Sequence, residues 1–403
     1  MHYILVKDSH PSDVRFRKAL QAFSDHLLYD QCSLVTVIFW DRHRASALLP
    51  LSPRIKYVSI YPFLFGSKSH SLLKPVWSLT VFVYVCLLRA RDLFMRVETL
   101  LYCADFLAAF SCSFSCLIGR RRCKFIYDIY DEVGLLFCNK FLAHPLTFLD
   151  FFPHLVADRI VKVSQNRVSY SEQFAFRRPS GVNSDFENIY AIIPNSPSCS
   201  PDYEELRVRE FPGLSPLSPS TNKINKPESE FFHCDYFVVS GYLSDARGIA
   251  SILKFAKDFP EYQFSIFGSG LSSFSRQIID NLPNVILFKP LSQLDLFRVQ
   301  LDSIGIFALY DPKIPINRVA VPNKVWDSVI CRVPLIVNAE ILATADARLA
   351  DHSVAVPYHY DPFSWADLRS TCLRQRHLLL NSTYQTSIPD TVSLYSSLIR
   401  GLA

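Results

Sequence analysis

Glycine is scarce in this sequence, with 11 residues in a chain of 403. This is few for an α/β enzyme, so we expect Gly-rich phosphate-binding loops to be shortened or absent. Long apolar runs are also lacking: the longest, residues 76–88, has 13 residues, whereas about 20 are needed to span a bilayer. The N-terminal residues form a strand-length apolar run and show no signal-peptide core. These absences predict a cytoplasmic protein.

The cysteines lack a metal-binding spacing. Cys112 and Cys116 are four positions apart and Cys123 follows, but no second pair or His-x₃-His completes a zinc set. We therefore expect no bound metal and interpret the 11 cysteines as buried small hydrophobes or free thiols. The net charge of +5 permits an anionic ligand or an anionic membrane surface. No nucleic-acid-binding motif is present, so we expect no nucleic-acid partner.

Strands and helices alternate along both halves of the chain, which predicts an α/β fold with parallel sheets. Hydrophobic residues make up 49% of the chain, enough for a core in each half. In the first half the predicted strands are residues 3–7, 34–40, 55–61, 99–103, 124–130, 159–163 and 190–194, and the main helices are residues 12–28, 105–117 and 139–155. In the second half the predicted strands are residues 236–240, 263–267, 284–288, 303–309 and 334–337.

The middle of the chain differs in composition. Residues 196–230 are rich in Pro and Ser and show no sustained periodicity, so we interpret them as a linker or surface insertion. We therefore predict a first domain at residues 1–195 and a second domain at residues 231–375. Residues 376–403 are predicted to be helical and to pack back on the first domain.

Residues 310–338 form the most informative stretch. An apolar strand leads into a Pro-rich loop, and a helix begins at Pro322-Asn323-Lys324 and ends before the next strand. Lys324 and Asp327 are three positions apart, so they share one face near the positive end of the helix. A cation there suits phosphate, and the carboxylate suits a vicinal diol such as ribose. At the carboxyl edge of a parallel sheet, this pattern predicts a nucleotide pocket.

Arg247 precedes Gly248 at the start of the helix that follows strand 236–240. Placed there, Arg247 and Lys324 would together neutralise a diphosphate leaving group, assisted by two helix N-termini. Taken alone, Arg247 is more simply explained as a solvated arginine at a helix end. Paired with Lys324 in one crevice, it favours a phosphate-binding role.

The second half resembles the donor domain of GT-B fold glycosyltransferases, in particular family 4. Four elements carry the resemblance: Gly241-Tyr242-Leu243 with Arg247-Gly248 (family G-R-L…K-G), Gly268-Ser269-Gly270 (G-x-G), residues 322–327 (P-N-K-x-x-E) and residues 332–337 (G-x-P-V-I-A). The first half resembles the same family at residues 10–17, 127–132, 157–164 and 194–195. The resemblance covers nearly the whole chain, and it rests on the order and spacing of these motifs together.

Some positions depart from the family pattern. Asp327 replaces the second of the two family glutamates and Val319 replaces the first. Tyr242 replaces the arginine of G-R-L, and Tyr130 replaces a histidine of the acceptor domain. Val319 cannot serve as a carboxylate, and Tyr242 leaves one fewer phosphate-binding cation.

The resemblance implies two facing Rossmann-like domains and transfer of a sugar from a nucleotide-diphosphate sugar, with retention and without a metal or cofactor. It implies that Arg247, Lys324 and Asn323 bind the diphosphate, that Asp327 binds the ribose, and that Gly241 and Gly268 belong to the donor site. Asp105 and Asp131, at the ends of first-domain strands, are candidate catalytic residues that would orient hydroxyl groups. Helix capping is the alternative explanation for both aspartates.

Alternative functions remain open from the sequence. A GT-B epimerase or phosphorylase would use the same cleft, and a non-catalytic scaffold subunit would explain Val319 and Tyr242. The expected partners of a transferase are the nucleotide-sugar donor and a saccharide or lipid-linked acceptor. For the latter, residues 76–88, flanked by Lys74, Arg89 and Arg91, would form either a helix at the inner face of the membrane or a buried packing helix. The basic run at residues 120–124 is interpreted as a solvated turn, with membrane contact as the alternative.

Overall fold

The computed structural model describes residues 1–9, 13–29, 33–40, 52–60, 70–117, 119–130, 140–163, 189–194, 206, 236–314, 317–318, 323–342, 355–358, 368–381 and 390–402. The chain forms two compact units: unit 1 is Met1–Ser196 with Pro389–Ala403, and unit 2 is Pro197–Ile388. The predicted boundary at residue 375 falls inside the helix Leu368–Asn381 of unit 2. Of the described residues after this boundary, the helix Thr391–Arg400 belongs to unit 1. The predicted linker contributes one described residue, Leu206, which packs in the core of unit 2.

Unit 1 is built on a seven-stranded sheet with the strand order β3-β2-β1-β4-β5-β6-β7. All of its strand pairs are parallel. The strands are β1 His2–Lys7, β2 Leu34–Phe39, β3 Ile55–Ser59, β4 Thr99–Ala104, β5 Cys123–Asp128, β6 Arg159–Lys162 and β7 Tyr190–Ile192. The predicted strands of the first half are confirmed, with ends shifted by one or two residues.

Helices cover both faces of this sheet because successive residues of each strand point to opposite sides. Tyr3 and Leu5 pack in the core beneath two helices, whereas Ile4 and Val6 pack on the other side. The first face carries α1 Val14–Tyr29 and the C-terminal helix α11 Thr391–Arg400. The second face carries α2 His70–Phe94, α3 Phe106–Ser113 and α4 Lys140–Val156.

Unit 2 contains a six-stranded parallel sheet with the order β10-β9-β8-β11-β12-β13. Its strands are β8 Tyr236–Tyr242, β9 Gln263–Ser269, β10 Val285–Phe288, β11 Gly305–Ala308, β12 Leu335–Asn338 and β13 Ala355–Tyr358. Its helices are α5 Ile249–Asp258, α6 Ser273–Asp280, α7 Gln293–Leu301, α8 Lys324–Cys331, α9 Ala339–Leu342 and α10 Leu368–Asn381. Aromatic rings fill one face, where the Phe237 and Phe307 centroids lie 5.2 Å apart. Rossmann-like parallel sheets are thus confirmed in both units.

Both sheets have the strand order of a doubly wound fold. The first three strands are added to the sheet in one direction, and the order then reverses, so that the fourth strand lies on the other side of the first. In unit 2 the reversal lies between β8 and β11, which are direct neighbours. Ligands of such folds bind outside the carboxyl ends of the strands at this switch point. The topology therefore directs the search for a site to the ends of β8 and β11.

None of the helices within the described residues combines the length and apolarity needed to cross a bilayer.

Asp390 fixes the start of α11. Its carboxylate accepts hydrogen bonds from the backbone N–H groups of Val392 (3.1 Å) and Ser393 (3.2 Å). Bonds from the Ser393 hydroxyl and from these N–H groups lower the pKa of Asp390. A carboxylate whose pKa is lowered in the folded state stabilises the fold above its unfolded pKa, and this contribution is lost as the pH falls through the folded value.

We expect Asp390→Ala to lower the free energy of unfolding by about 1 kcal/mol at neutral pH, as for other N-cap removals. The difference from the parent protein should shrink below about pH 4, where aspartates protonate. Urea unfolding followed by circular dichroism measures both effects. Asp258→Ala, at the C-terminal end of α5, is the control and should not destabilise. An unchanged unfolding midpoint for Asp390→Ala at neutral pH would contradict the capping role.

Candidate functional site

Unit 2 has an open pocket of about 230 Å³ at the carboxyl ends of β8 and β11. Its position is that of the switch point described above. The lining residues come from the end of β8, the start of α5, the end of β11 and the start of α8: Val239, Ser240, Gly241, Tyr242, Leu243, Arg247, Ile249, Ile252, Phe307, Ala308, Tyr310, Asn323 and Lys324. Four of the six residues predicted to bind the nucleotide sugar therefore share one pocket: Gly241, Arg247, Asn323 and Lys324.

Close backbone approaches build the floor of this region. A Cβ atom on Gly268 would lie 2.0 Å from the carbonyl oxygen of Gly241. Gly268 does not line the pocket itself; it allows β9 to run close beside the end of β8. Gly248 has φ +81°, and a Cβ there would lie 1.6 Å from the carbonyl oxygen of Leu309. Only glycine fits at these positions without displacing backbone.

Arg247 ends a short 3₁₀ turn, Asp245–Arg247, just before α5. Its side chain is exposed, and its guanidinium carbon lies 4.6 Å from the centroid of the Tyr310 ring. Such a cation–π contact orients the guanidinium and leaves its N–H groups available for an acceptor. Tyr310 follows β11, so the contact joins the two strand ends of the switch point.

The loop after β11 is tied to the Arg247 turn by Asn317. The buried Asn317 side chain donates hydrogen bonds to the carbonyl oxygens of Ala246 (2.8 Å) and Asp311 (2.9 Å). These bonds hold the backbone next to Arg247 and the backbone next to Tyr310 in register. Sequence reasoning missed Asn317, because an asparagine in a Pro-rich loop is equally typical of a solvated turn.

Lys324 is the first residue of α8 and Asn323 is its N-cap residue. The Lys324 ammonium lies 2.7 Å from Asp327 Oδ2, and both side chains are largely removed from solvent. The first backbone N–H groups of a helix have no partner in the helix, so the start of α8 also offers donors to an anion. The pocket wall therefore combines a positioned ammonium with a helix N-terminus.

Asp327 was expected to bind the ribose, but its side chain contacts Lys324 instead of lining the pocket. Its carboxylate is buried and bonded to Lys324, and it does not line the pocket. A group in this position orients the lysine and balances its charge. The Lys324–Asp327 pair has the predicted helix-face geometry, with the carboxylate behind the lysine.

The carboxyl edge of the sheet in unit 1 holds a second polar cluster. Asp105 follows β4 with φ +73° and ψ 160°, a conformation that costs a residue with a side chain about 1–3 kcal/mol. Asp105 occupies the N-cap position of α3 without a side-chain capping bond, and its Oδ2 accepts a hydrogen bond from the buried Lys7 at 2.9 Å. Burial lowers the pKa of Lys7, but the charges of Asp105, Asp13 and Asp8 leave it above its ordinary 10.5. Lys7 is therefore charged at neutral pH.

Asp131, the second predicted catalytic residue, lies outside the described residues. The last residue of β5, Asp128, is fully buried and accepts hydrogen bonds from Arg15, Tyr102 and Tyr395. Lys7 lies 3.9 Å above the centroid of the Tyr130 ring, which also contacts Arg15. The Asp128 network was not predicted, because its members come from four distant elements.

Comparison with solved structures finds proteins whose fold is similar to this one over nearly the whole of both chains. The structure of Anabaena HepE in complex with UDP-glucose matches with a TM-score of 0.59 at 14% identity, covering 100% of this chain and 99% of that one. A glycosyltransferase from Rickettsia africae matches with a TM-score of 0.56 at 10% identity, over 100% and 97% of the two chains. UDP-GlcNAc 2-epimerase from Neisseria meningitidis, bound to UDP-GlcNAc, matches with a TM-score of 0.53 at 13% identity, over 100% and 99%.

These similarities extend over both units, and they confirm the predicted GT-B fold class. No protein-family model matches the sequence, and no curated protein matches it.

Proposed function

We propose that this chain is an enzyme that acts on a nucleotide-diphosphate sugar. The observation that carries the proposal is the unit 2 pocket, where Arg247 and Lys324 line one cavity at the switch point of the sheet. Two cations beside a helix N-terminus suit a diphosphate better than a neutral ligand. The similarity to structures that contain UDP-glucose and UDP-GlcNAc supports the same ligand class.

The favoured reaction is transfer of the sugar, with retention, as in family 4 glycosyltransferases. Arg247 and Lys324 would hold the diphosphate, and Asn323 would add a hydrogen bond at the start of α8. As the sugar departs, negative charge increases on the diphosphate, and preorganised cations stabilise that charge without reorganisation. Asp327 would keep the Lys324 ammonium in place, and the Gly241–Gly268 approach would shape the floor.

Asp105 and Asp131 are proposed as acceptor-side residues of unit 1. The strained backbone of Asp105 and its bond to Lys7 favour a constrained carboxylate over an ordinary helix cap. A saccharide or a lipid-linked saccharide is the proposed acceptor, and the inner face of the cell membrane is the corresponding location.

Epimerisation of the nucleotide sugar is the second candidate. It is favoured by the similarity to the Neisseria epimerase across both whole chains. A scaffold without activity is the third, because Val319 and Tyr242 occupy positions where the family carries a carboxylate and a cation.

Calorimetric titration with UDP-glucose, UDP-GlcNAc, and their GDP and ADP counterparts tests the proposal, followed by NMR of the products. Slow release of free sugar with the original anomeric configuration supports a retaining transferase awaiting its acceptor. A nucleotide sugar inverted at one carbon indicates the epimerase. Absence of binding to every member of the panel would favour the scaffold and overturn the enzyme proposal.

Asn317 provides a test of how Arg247 is positioned. We expect Asn317→Ala to lower the free energy of unfolding by about 1–3 kcal/mol, because two carbonyl oxygens lose the donor that the buried Asn317 side chain supplies. We also expect weaker binding of the nucleotide sugar that the titration identifies, because the Arg247 turn loses its brace. Asn281→Ala removes a comparable bond, from an exposed asparagine to the carbonyl oxygen of Gln277, and should leave binding unchanged. Equal affinities for the two variants would contradict the positioning role.

A further inference from the structure

The outer side of α2 in unit 1 is apolar and uncovered. Leu79, Val83, Leu87 and Phe94 lie on this side, and Leu79, Leu87 and Phe94 are 64%, 65% and 85% exposed. On the opposite side Trp77, Val81 and Val85 pack against the sheet. Arg89, the single charged residue between positions 76 and 90, is buried. A helix that is apolar all round normally has both sides covered, so this outer side needs a partner.

The apolar area continues onto the neighbouring elements of the same layer. The Ser78 and Ser111 hydroxyls, 2.6 Å apart, join α2 to α3. The ring of Phe152 lies 5.4 Å from that of Phe114 and 6.4 Å from that of Phe148. Phe114, Phe148 and Leu117 are exposed. We call the exposed set Leu79, Val83, Leu87, Phe94, Leu117 and Phe148 the apolar face.

Arginines surround one end of this face. The Gly119 carbonyl oxygen accepts a hydrogen bond from Arg89 at 3.4 Å, and Leu93 packs directly on Gly119. These contacts place the Arg120–Arg122 turn beside the C-terminal end of α2, near Arg91 and Arg96. Arg91 pairs with Asp92 and Arg120 with Asp158. Arg96, Arg121 and Arg122 are exposed and form no ion pair with any described residue.

We propose that the apolar face docks on an anionic membrane surface, with α2 lying in the plane of the interface. The stretch from Leu79 to Phe94 is about 22 Å long at 1.5 Å per residue, which suits a helix that lies in the interface. The arginines at its end would meet the negative headgroups, each contributing to binding. A second copy of the chain fits this face less well, because it would bring a second set of unpaired arginines to the same contact.

This inference does not depend on the proposed reaction. The apolar face lies in unit 1 and the nucleotide pocket in unit 2, so vesicle binding and nucleotide binding are measured separately. Either can fail while the other holds.

The test is co-sedimentation of the full chain with vesicles of phosphatidylcholine alone and of phosphatidylcholine mixed equally with phosphatidylglycerol. We expect binding to the mixed vesicles, weakened by salt. Leu79→Gln/Leu87→Gln should lower the partition coefficient at least about tenfold, because two side chains no longer enter the apolar layer. Arg121→Gln/Arg122→Gln should lower it by about 10- to 30-fold on the mixed vesicles only. Leu28→Gln, which changes a 72% exposed leucine on α1, is the matched control.

Several outcomes would overturn the proposal. The first is absence of binding to the mixed vesicles, and the second is equal binding to neutral and mixed vesicles. The third is a Leu28→Gln variant whose partition coefficient falls as much as that of Leu79→Gln/Leu87→Gln. Light scattering after gel filtration tests whether a second copy of the chain covers the apolar face instead of a membrane. A wild-type dimer that becomes monomeric in Leu79→Gln/Leu87→Gln, without vesicle binding, would assign the apolar face to a second copy of the chain. Because all the changed side chains are exposed, unaltered circular dichroism is expected for every variant.

Discussion

Replacing Lys324 by alanine is expected to remove most of the activity on nucleotide sugars. The lysine lines the pocket at the start of α8, where a departing diphosphate would gain charge. Loss of one preorganised contact of this kind typically raises the barrier by about 2.7–4 kcal/mol, or 10²–10³-fold in rate. The measurement is kcat for release of the nucleoside diphosphate from the sugar nucleotide that the titration identifies, together with the Kd of that sugar nucleotide.

Lys324→Ala also leaves the Asp327 carboxylate buried without its lysine, so loss of activity could follow from instability. The double variant Lys324→Ala/Asp327→Asn separates the two causes, because it removes both charges of the pair. We expect the double variant to regain most of the lost stability and none of the activity. Lys289→Ala changes an exposed lysine of the same unit that does not line the pocket, and it should match the parent protein.

Recovery of activity in the double variant would contradict the role of Lys324 as a phosphate ligand. It would mean that the lysine serves only to neutralise Asp327. Asp327→Asn alone adds a further distinction. If Asp327 only positions the lysine, its asparagine variant should keep part of the activity. If Asp327 instead binds the ribose, the variant should weaken binding of the nucleoside diphosphate more than binding of inorganic pyrophosphate.

Of the strands that the structure describes, all but β13 could be predicted from the sequence, because parallel strands buried on both faces are short apolar runs separated by helical segments. The pocket residues could be predicted for a related reason. Gly241 lies at the end of β8 and Arg247 follows that strand, while Asn323 and Lys324 begin the helix after β11, so topology alone brings both groups to one edge. Local spacing also gave the Lys324–Asp327 contact.

The parts that could not be predicted depend on depth or on distant residues. Spacing places Asp327 on the right face of α8 but does not show that the carboxylate lies behind Lys324. Periodicity cannot separate a covered helix from an exposed one when every side of α2 is apolar. The Asp128 network joins residues up to 380 positions apart, and no local pattern connects them.

Replacing Asp128 by asparagine is expected to destabilise unit 1 strongly. Asp128 is fully buried, and its carboxylate accepts hydrogen bonds from Arg15 and from the hydroxyls of Tyr102 and Tyr395. Burial, together with the charge of Asp128, raises the pKa of both tyrosines, so they remain protonated donors. Removing the carboxylate leaves the buried Arg15 guanidinium without its counter-charge. We therefore expect the free energy of unfolding to fall by about 4 kcal/mol.

The same network explains why the last helix of the chain folds against the first unit. Tyr395 of α11 accepts a hydrogen bond from Arg15 Nε at 3.0 Å while donating to Asp128, so one hydroxyl links α1, α11 and β5. Tyr395→Phe removes this link but leaves the Arg15–Asp128 pair, so we expect it to cost about 0.5–3 kcal/mol, less than Asp128→Asn. Urea unfolding of both variants gives the comparison. If Tyr395→Phe costs as much as Asp128→Asn, the hydroxyl rather than the ion pair holds the cluster together. If neither variant differs from the parent by about 1 kcal/mol, the network adds little to the stability of unit 1.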